Sequence, residues 1–312
     1  MHQTKNQTQH VPVLLEAVLT CLDPKPGDTY LDLTAGYGGH ASAILELTKA
    51  PAILVDRDDQ AITYLRNTLA SSTVSVLRKD FLGASQELAA QGKHFKLILA
   101  DLGVSSPHLN TASRGFSLQQ TGPLDMRMDQ SQTLGADKVV NTYSEEQLRE
   151  LLTRYGEEPR ARQIAQAIVR QRPFSSTTQL ADAIVRVYKV RGKVHPATRS
   201  FQAIRMVVNS ELEQLSQALP IWLDLLEPGG RIAVISFHSL EDRIVKTIFS
   251  DASIGYEAII RLLTKKPIVA DHQNIVFNPR ARSAKLRAAV KIKNQKEGVL
   301  HAHTGKKHLP SL

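Results

Sequence analysis

Residues 29–40 read Thr29-Tyr30-Leu31-Asp32-Leu33-Thr34-Ala35-Gly36-Tyr37-Gly38-Gly39-His40, and this stretch decides the fold. Thr29–Leu33 is a short β-type run, the glycines mark a tight turn, and His40–Leu47 behind them is apolar and helical in pattern. The same alternation recurs downstream. Ala52–Val55 ends at Asp56 and precedes the helical pattern Gln60–Leu69, while the strands Val74–Leu77 and Leu97–Ala100 enclose a helix over Gly83–Ala90. Short apolar runs separated by helices demand right-handed crossovers, so the expected fold is α/β, Rossmann-like, with a mostly parallel sheet.

The alternation stops after Gly103. Residues 103–122 are rich in Gly, Ser, Pro and polar side chains and read as a long loop. Helical patterns follow. Ser144-Glu145-Glu146-Gln147 is a capping box opening Leu148–Tyr155, and Pro159–Arg170 and Gln179–Tyr188 continue the series. Residues 110–195 are therefore expected to form an all-helical insertion, after which one long helix, Ala197–Leu219, returns the chain to the sheet. Glu227-Pro228-Gly229-Gly230 is a turn before the buried strand Arg231–Phe237, and Ser239-Leu240-Glu241-Asp242 caps the next helix. Ile259–Leu263 and Ala288–Ile292 are suited to a closing antiparallel pair. This divides the chain into a Rossmann-like domain at 1–109 and 196–295, the insertion at 110–195, and a basic tail at 296–312 expected to be disordered.

The single cysteine, Cys21, excludes an intramolecular disulfide framework and fits a reducing cytoplasm. The polar start, Met1–Gln9, lacks a signal-peptide core, and no run approaches the roughly 18 apolar residues that span a bilayer. The overall net charge of +9 is unevenly spread: residues 261–312 hold a balance of +10 and residues 110–210 one of +6, leaving −7 elsewhere. Each basic run alone can be a solvated surface. Two of them beside an acidic remainder favour a polyanionic partner, with Arg280, Arg282, Lys285 and Arg287 as the candidate phosphate contacts.

Glycines at a strand-to-helix turn, here Gly36, Gly38 and Gly39, let backbone approach a ligand lying on the strand ends. Dinucleotide enzymes use such a turn too. Here Asp32 stands at the strand end before the glycines, where it would repel a pyrophosphate but suit the ammonium and sulfonium groups of S-adenosylmethionine. Asp56, ending the second strand, is placed to accept ribose hydroxyls. Asp80-Phe81, after the third, offers an acceptor and an apolar face to adenine. The competing reading is that Asp32 and Asp56 only cap the following helices, and that His40 is structural. After the fourth strand comes Asp101-Leu102-Gly103-Val104-Ser105-Ser106-Pro107, in the loop where an open α/β sheet binds substrate. Enzymes that methylate exocyclic amines carry a short polar-Pro motif there, because an amine delocalised into a base needs acceptors for its protons. Asp101 and nearby carbonyls suit that role, making Asp101 the catalytic candidate. Its alternative is a loop cap. The histidines show no metal-ligand spacing, so no metal is expected.

These residues resemble the bacterial small-subunit ribosomal RNA methyltransferase H family over nearly the whole chain. The matching blocks include His10–Leu14, Gly36–His40, Val55–Asp58, Asp101–Pro107, Arg114–Ser117, Gly122–Asp129, His195–Arg199, Ser236–Arg243 and Asn278–Ser283. The resemblance implies a class I S-adenosylmethionine-dependent methyltransferase that modifies the exocyclic N4 amine of a decoding-region cytosine, with ribosomal RNA or the small subunit as partner. It implies cofactor contact by Gly38, Gly39, His40, Asp56, Phe81 and Asp101. His108 stands where the family usually has glutamine and is counted with the cofactor set. Pro123–Asp129 looks like part of a substrate-facing lid, or else a loop buried under the helical insertion. The alternative functions are a DNA or protein amine methyltransferase and a non-catalytic RNA-binding assembly factor.

Overall fold

In a computed structural model the chain is described over residues 12–104, 109, 111–188, 195–271, 275–276 and 278–294. It divides into two compact units, one within Met1–Gly103 and Gln214–Leu300 and the other within Val104–Glu213.

The first unit is built on α1 (Leu15–Leu22), β1 (Tyr30–Asp32), α2 (Gly39–Thr48), β2 (Ala52–Asp56), α3 (Asp59–Thr68), β3 (Val74–Arg78), α4 (Phe81–Ala90) and β4 (Phe95–Asp101). Its strands form one sheet with β5 (Leu226–Ser236), β6 (Ile260–Leu262), β7 (Ile268–Val269) and β8 (Lys285–Lys291), in the order β3-β2-β1-β4-β5-β8-β6, with β7 also on β8. The first five strands in that order are parallel; β8 runs antiparallel to β5 and β6. The expected closing pair is present, with Ile260 opposite Lys291, and β8 also joins it to β5. This is a Rossmann-like, mostly parallel sheet, as expected.

Both faces of the sheet are covered, which is why its strands read as continuous apolar runs. Along β4, Leu97 and Leu99 pack with Val18 and Leu22 of α1 and Ala41 and Ile44 of α2, while Ile98 and Ala100 face the cluster around Trp222 and Phe249. Trp222 is fully buried and donates its indole N–H to Ser85 Oγ at 2.8 Å. The Glu227–Gly230 turn is a register break between β4 and β5, where the pairing passes from Phe95–Leu226 to Leu97–Arg231.

The second unit holds α5 (Ala136–Thr142), α6 (Glu145–Arg154), α7 (Ala161–Gln171), α8 (Thr177–Val187) and α9 (Thr198–Asn209). The capping box is formed: Gln147 N–H reaches Ser144 Oγ at 3.1 Å, and Ser144 N–H reaches Gln147 Oε1 at 2.9 Å. The expected single helix over Ala197–Leu219 is two helices, α9 and α10 (Glu211–Leu225), broken where Ser210 turns left-handed at φ 48°. The cause is Asn209, whose buried amide donates to Met126 O and accepts from Met128 N–H instead of facing solvent. The helical unit thus extends to Glu213, past the boundary expected near 195.

Pro123–Asp129 belongs to that anchoring. Leu124, Met126 and Met128 are buried, the buried Arg114 guanidinium donates to the carbonyls of Arg127 and Met128, and Arg127 forms a two-pronged pair with Asp125. Of the two readings open in the sequence, these contacts support a loop packed into the helical unit.

Candidate cofactor and active site

Parallel strands leave β1 toward β2 and β3 on one side, and continue from β4 to β5 on the other. Ligands of open α/β sheets bind beyond the carboxyl ends of strands at this switch. The residues that end β1 and β4 are Asp32 and Asp101.

The glycine turn is locked onto the sheet. Leu33 N–H donates to Leu99 O, Ala35 N–H to Val55 O, and Gly36 N–H to the Asp56 carboxylate at 2.8 Å. Asp56 also accepts Asp58 N–H at 2.9 Å. The N-cap of α3 is Asp58, and that of α2 is Gly38. Neither Asp32 nor Asp56 is the N-cap of the following helix; both carboxylates instead accept backbone N–H groups of the turn. The glycines have different causes. Gly38 sits at φ 76°, a left-handed conformation that other side chains rarely adopt, and a Cβ on Gly39 would lie 2.7 Å from Pro12 Cγ. Gly36, at φ 53°, meets nothing closer than 3.9 Å, and here the chain leaves room beside the backbone.

Asp32 is 2 % exposed. One carboxylate oxygen accepts Thr34 N–H at 3.1 Å and the other accepts the Tyr30 hydroxyl at 2.7 Å. Burial pushes its pKa up to about 6, opposed by the Tyr30 hydrogen bond and by His40. A buried carboxylate raised this far gains most from a cationic partner.

His40, in the first turn of α2, is buried, and its Nε2 lies 3.6 Å from Asp101 Oδ2. Among the described residues neither ring nitrogen of His40 has a hydrogen-bond partner, and neither does the buried Oδ1 of Asp101. Buried polar groups are nearly always satisfied, so three such atoms together among the described residues mark this as the candidate site. Asp101 is fixed through its backbone, its N–H donating to Thr34 Oγ1 at 2.6 Å. Thr34 and Tyr30 had no signal as single residues. Strand alternation could have found Tyr30, since positions i and i+2 share a face.

Phe81 opens α4 with its ring edge against Trp222, centroids 5.6 Å apart, which holds it at the end of β3. Asp80 caps α4 through Gly83 N–H at 2.8 Å, so its carboxylate serves the helix. Gly103 continues from β4 at φ 93° beside Phe237. Ser105, Ser106, Pro107 and His108 lie outside the described residues.

The basic cluster is sorted by burial. Arg287 is 7 % exposed and donates to Asp242 at 2.7 Å; Lys285 reaches the same carboxylate at 3.2 Å. Burial alone would raise the Asp242 carboxyl, but hydrogen bonds from Arg287 and Lys285 hold it below its ordinary value. The expectation that Arg287 meets phosphate is corrected: its charge is internal, matched to a buried acid. Arg282 is exposed, and the side chain of Arg280 is outside the described set.

The sequence pattern of the MraW methylase family matches residues 7–292. The chain belongs to that family. The ribosomal RNA small subunit methyltransferase H of Synechocystis sp. is 47% identical over 295 residues, covering 91% of this chain and 93% of its own. The protein of the same name from Nostoc sp. is 46% identical over 290 residues, covering 90% and 92%, and that from Heliobacterium mobile 42% over 308, covering 91% and 99%. Membership of the MraW methylases fits the site: the cofactor is S-adenosylmethionine, whose cationic end suits the acids at the ends of β1 and β4. No helix among the described residues is long and apolar enough to cross a membrane.

Proposed function

We propose that the chain is a cytoplasmic enzyme that methylates the exocyclic N4 amine of a cytosine in the decoding region of small-subunit ribosomal RNA. The observation that carries the reading is the cluster of Asp32, His40 and Asp101 at the switch point, in which buried atoms of His40 and Asp101 have no hydrogen-bond partner among the described residues. The names of the relatives support a ribosomal RNA substrate.

S-adenosylmethionine, when bound, supplies a methyl group on a sulfonium. Asp32 and Asp101 would accept from the cofactor's ammonium, His40 would donate to its carboxylate, Asp56 would hold the ribose hydroxyls, and Phe81 would cover the adenine. Gly36 gives the backbone approach, Gly38 and Gly39 shape the turn, and His108 completes the set. Asp101 also accepts a hydrogen bond from the target amine, orienting its lone pair toward the methyl. Orientation and exclusion of water would then favour a displacement in which the C–N bond forms as the C–S bond breaks, S-adenosylhomocysteine leaves, and the nitrogen gives up one proton to solvent. The base must be unpaired or flipped to reach the strand ends. A covalent route through the base ring would need a thiolate. Cys21, buried in α1 with its thiol raised by desolvation, does not offer one. The helical insertion and the exposed Arg282, with Arg280, supply cation to the RNA backbone.

Nucleoside mass spectrometry of small-subunit RNA from a deletion strain tests the reading, with loss of one N4-methylated cytidine expected. An unchanged nucleoside profile would overturn the RNA assignment. Labelled methyl transfer from S-adenosylmethionine to DNA or protein instead would redirect the substrate, and no transfer at all would leave a binding factor.

A further inference from the structure

Tyr30 is the one polar side chain of β1 that neither a cofactor nor a substrate contact requires. It sits at position i to Asp32 at i+2, on the sheet face covered by Val18 and Leu22 of α1 and Ala41 and Ile44 of α2. Its side chain is 0 % exposed, in surroundings where phenylalanine would fill the same space. A buried hydroxyl is tolerated there because it donates to Asp32 Oδ2 at 2.7 Å. Burial and the neighbouring Asp32 charge push the phenol well above its ordinary range, so it remains the donor.

We propose that Tyr30 is a positioning residue for the cofactor: its buried hydroxyl fixes the Asp32 carboxylate and keeps it ionised, setting the pH below which the cationic cofactor is released. The proposal rests on the reading that Asp32 faces the cofactor's cation.

The groups that act on Asp32 among the described residues lie on β1, the turn, α2 and β4. Tyr30 on β1 and Thr34 N–H in the turn donate to it, His40 on α2 favours its charge, and Asp101 on β4 opposes it. Removing the Tyr30 donor leaves desolvation and Asp101 opposing the charge with less resistance, so the folded pKa of Asp32 rises above its value of about 6. Cofactor affinity is complete above the Asp32 pKa and declines as pH falls through it, so losing the hydroxyl moves the decline to higher pH. A hydrogen bond to a charged acceptor corresponds to a displacement of roughly one pH unit. His40 is common to every variant, so the difference between variants isolates Asp32.

The test is calorimetric binding of S-adenosylmethionine to the full chain between pH 5 and 8 for wild type, Tyr30→Phe, Asp32→Asn and a chain with 3-fluorotyrosine at position 30, each checked for folding by its melting curve. Tyr30→Phe is expected to bind normally at pH 8 and to show its decline roughly one unit higher. Fluorination makes the phenol a stronger donor, so that chain should decline at lower pH than wild type. Opposite displacements are not what a mere packing role would give, and the fluorinated chain keeps the test open if Tyr30→Phe fails to fold. Asp32→Asn separates the two ideas. If it leaves the affinity and its pH profile unchanged, Asp32 is outside the cofactor site and both readings fall. If it weakens and flattens the profile while the position-30 chains superimpose on wild type, the Asp32 reading stands and the Tyr30 proposal is overturned.

Discussion

Asp56→Ala should damage two things at once, in amounts that can be separated. The carboxylate accepts Gly36 N–H at 2.8 Å and Asp58 N–H at 2.9 Å, so it ties the glycine turn to the entry of α3. Hydrogen bonds to a charged acceptor are each worth about 1.5–3 kcal/mol net. Asp56 is half-buried, so water replaces part of what is lost, and the lower figure applies to both donors. The expected loss of stability without cofactor is then about 3 kcal/mol. The ribose contact proposed for the same carboxylate adds a loss of cofactor affinity of about 1.5–3 kcal/mol, or roughly ten- to 150-fold in Kd. Asp56→Asn keeps one acceptor oxygen and should show about half the stability loss. Denaturant unfolding without ligand reads the first effect, and calorimetry on the folded variant reads the second. Unchanged stability would refute the role in the turn. Unchanged affinity in a folded Asp56→Ala chain would remove Asp56 from the cofactor site.

Asp101→Asn keeps size and one acceptor but removes the charge beside His40, so cofactor binding should partly survive. Single-turnover methyl transfer should slow by roughly 30- to 1000-fold, about 2–4 kcal/mol, and a near-normal rate would return Asp101 to a structural role. Binding of small-subunit RNA should weaken steeply with salt. The Arg280→Gln, Arg282→Gln double variant should flatten the log–log slope by roughly one for each phosphate no longer neutralised, with cofactor affinity intact. Arg287→Gln should leave that slope alone and lower the melting temperature instead, because it strips the buried Asp242 of a partner; a flattened slope would show that Arg287 reaches RNA after all.

Local signals carried far in this chain. The strands β1 to β4, the helices between them, the capping box at Ser144 and the closing pair of β6 with β8 are all legible, because periodicity and turn chemistry act over a few residues. The break of one expected helix at Ser210 is not, because it depends on Asn209 bonding to a loop some eighty residues earlier.

The same division runs through the site. The sequence by itself determined that acids and glycines stand at the ends of successive strands, since strand and turn patterns place them there. Only the tertiary structure decided what each one does. Asp58 and Gly38, not Asp32 or Asp56, cap the helices; Gly38 is held by its left-handed backbone and Gly39 by the closeness of Pro12. Arg287 counts toward a basic cluster in one dimension and neutralises Asp242 in three. Tyr30 reads as an ordinary strand residue until its hydroxyl is found on Asp32. Residue types and spacing fix which groups are present, but burial and partners set charge states and free valences, and those arise only when distant segments pack together.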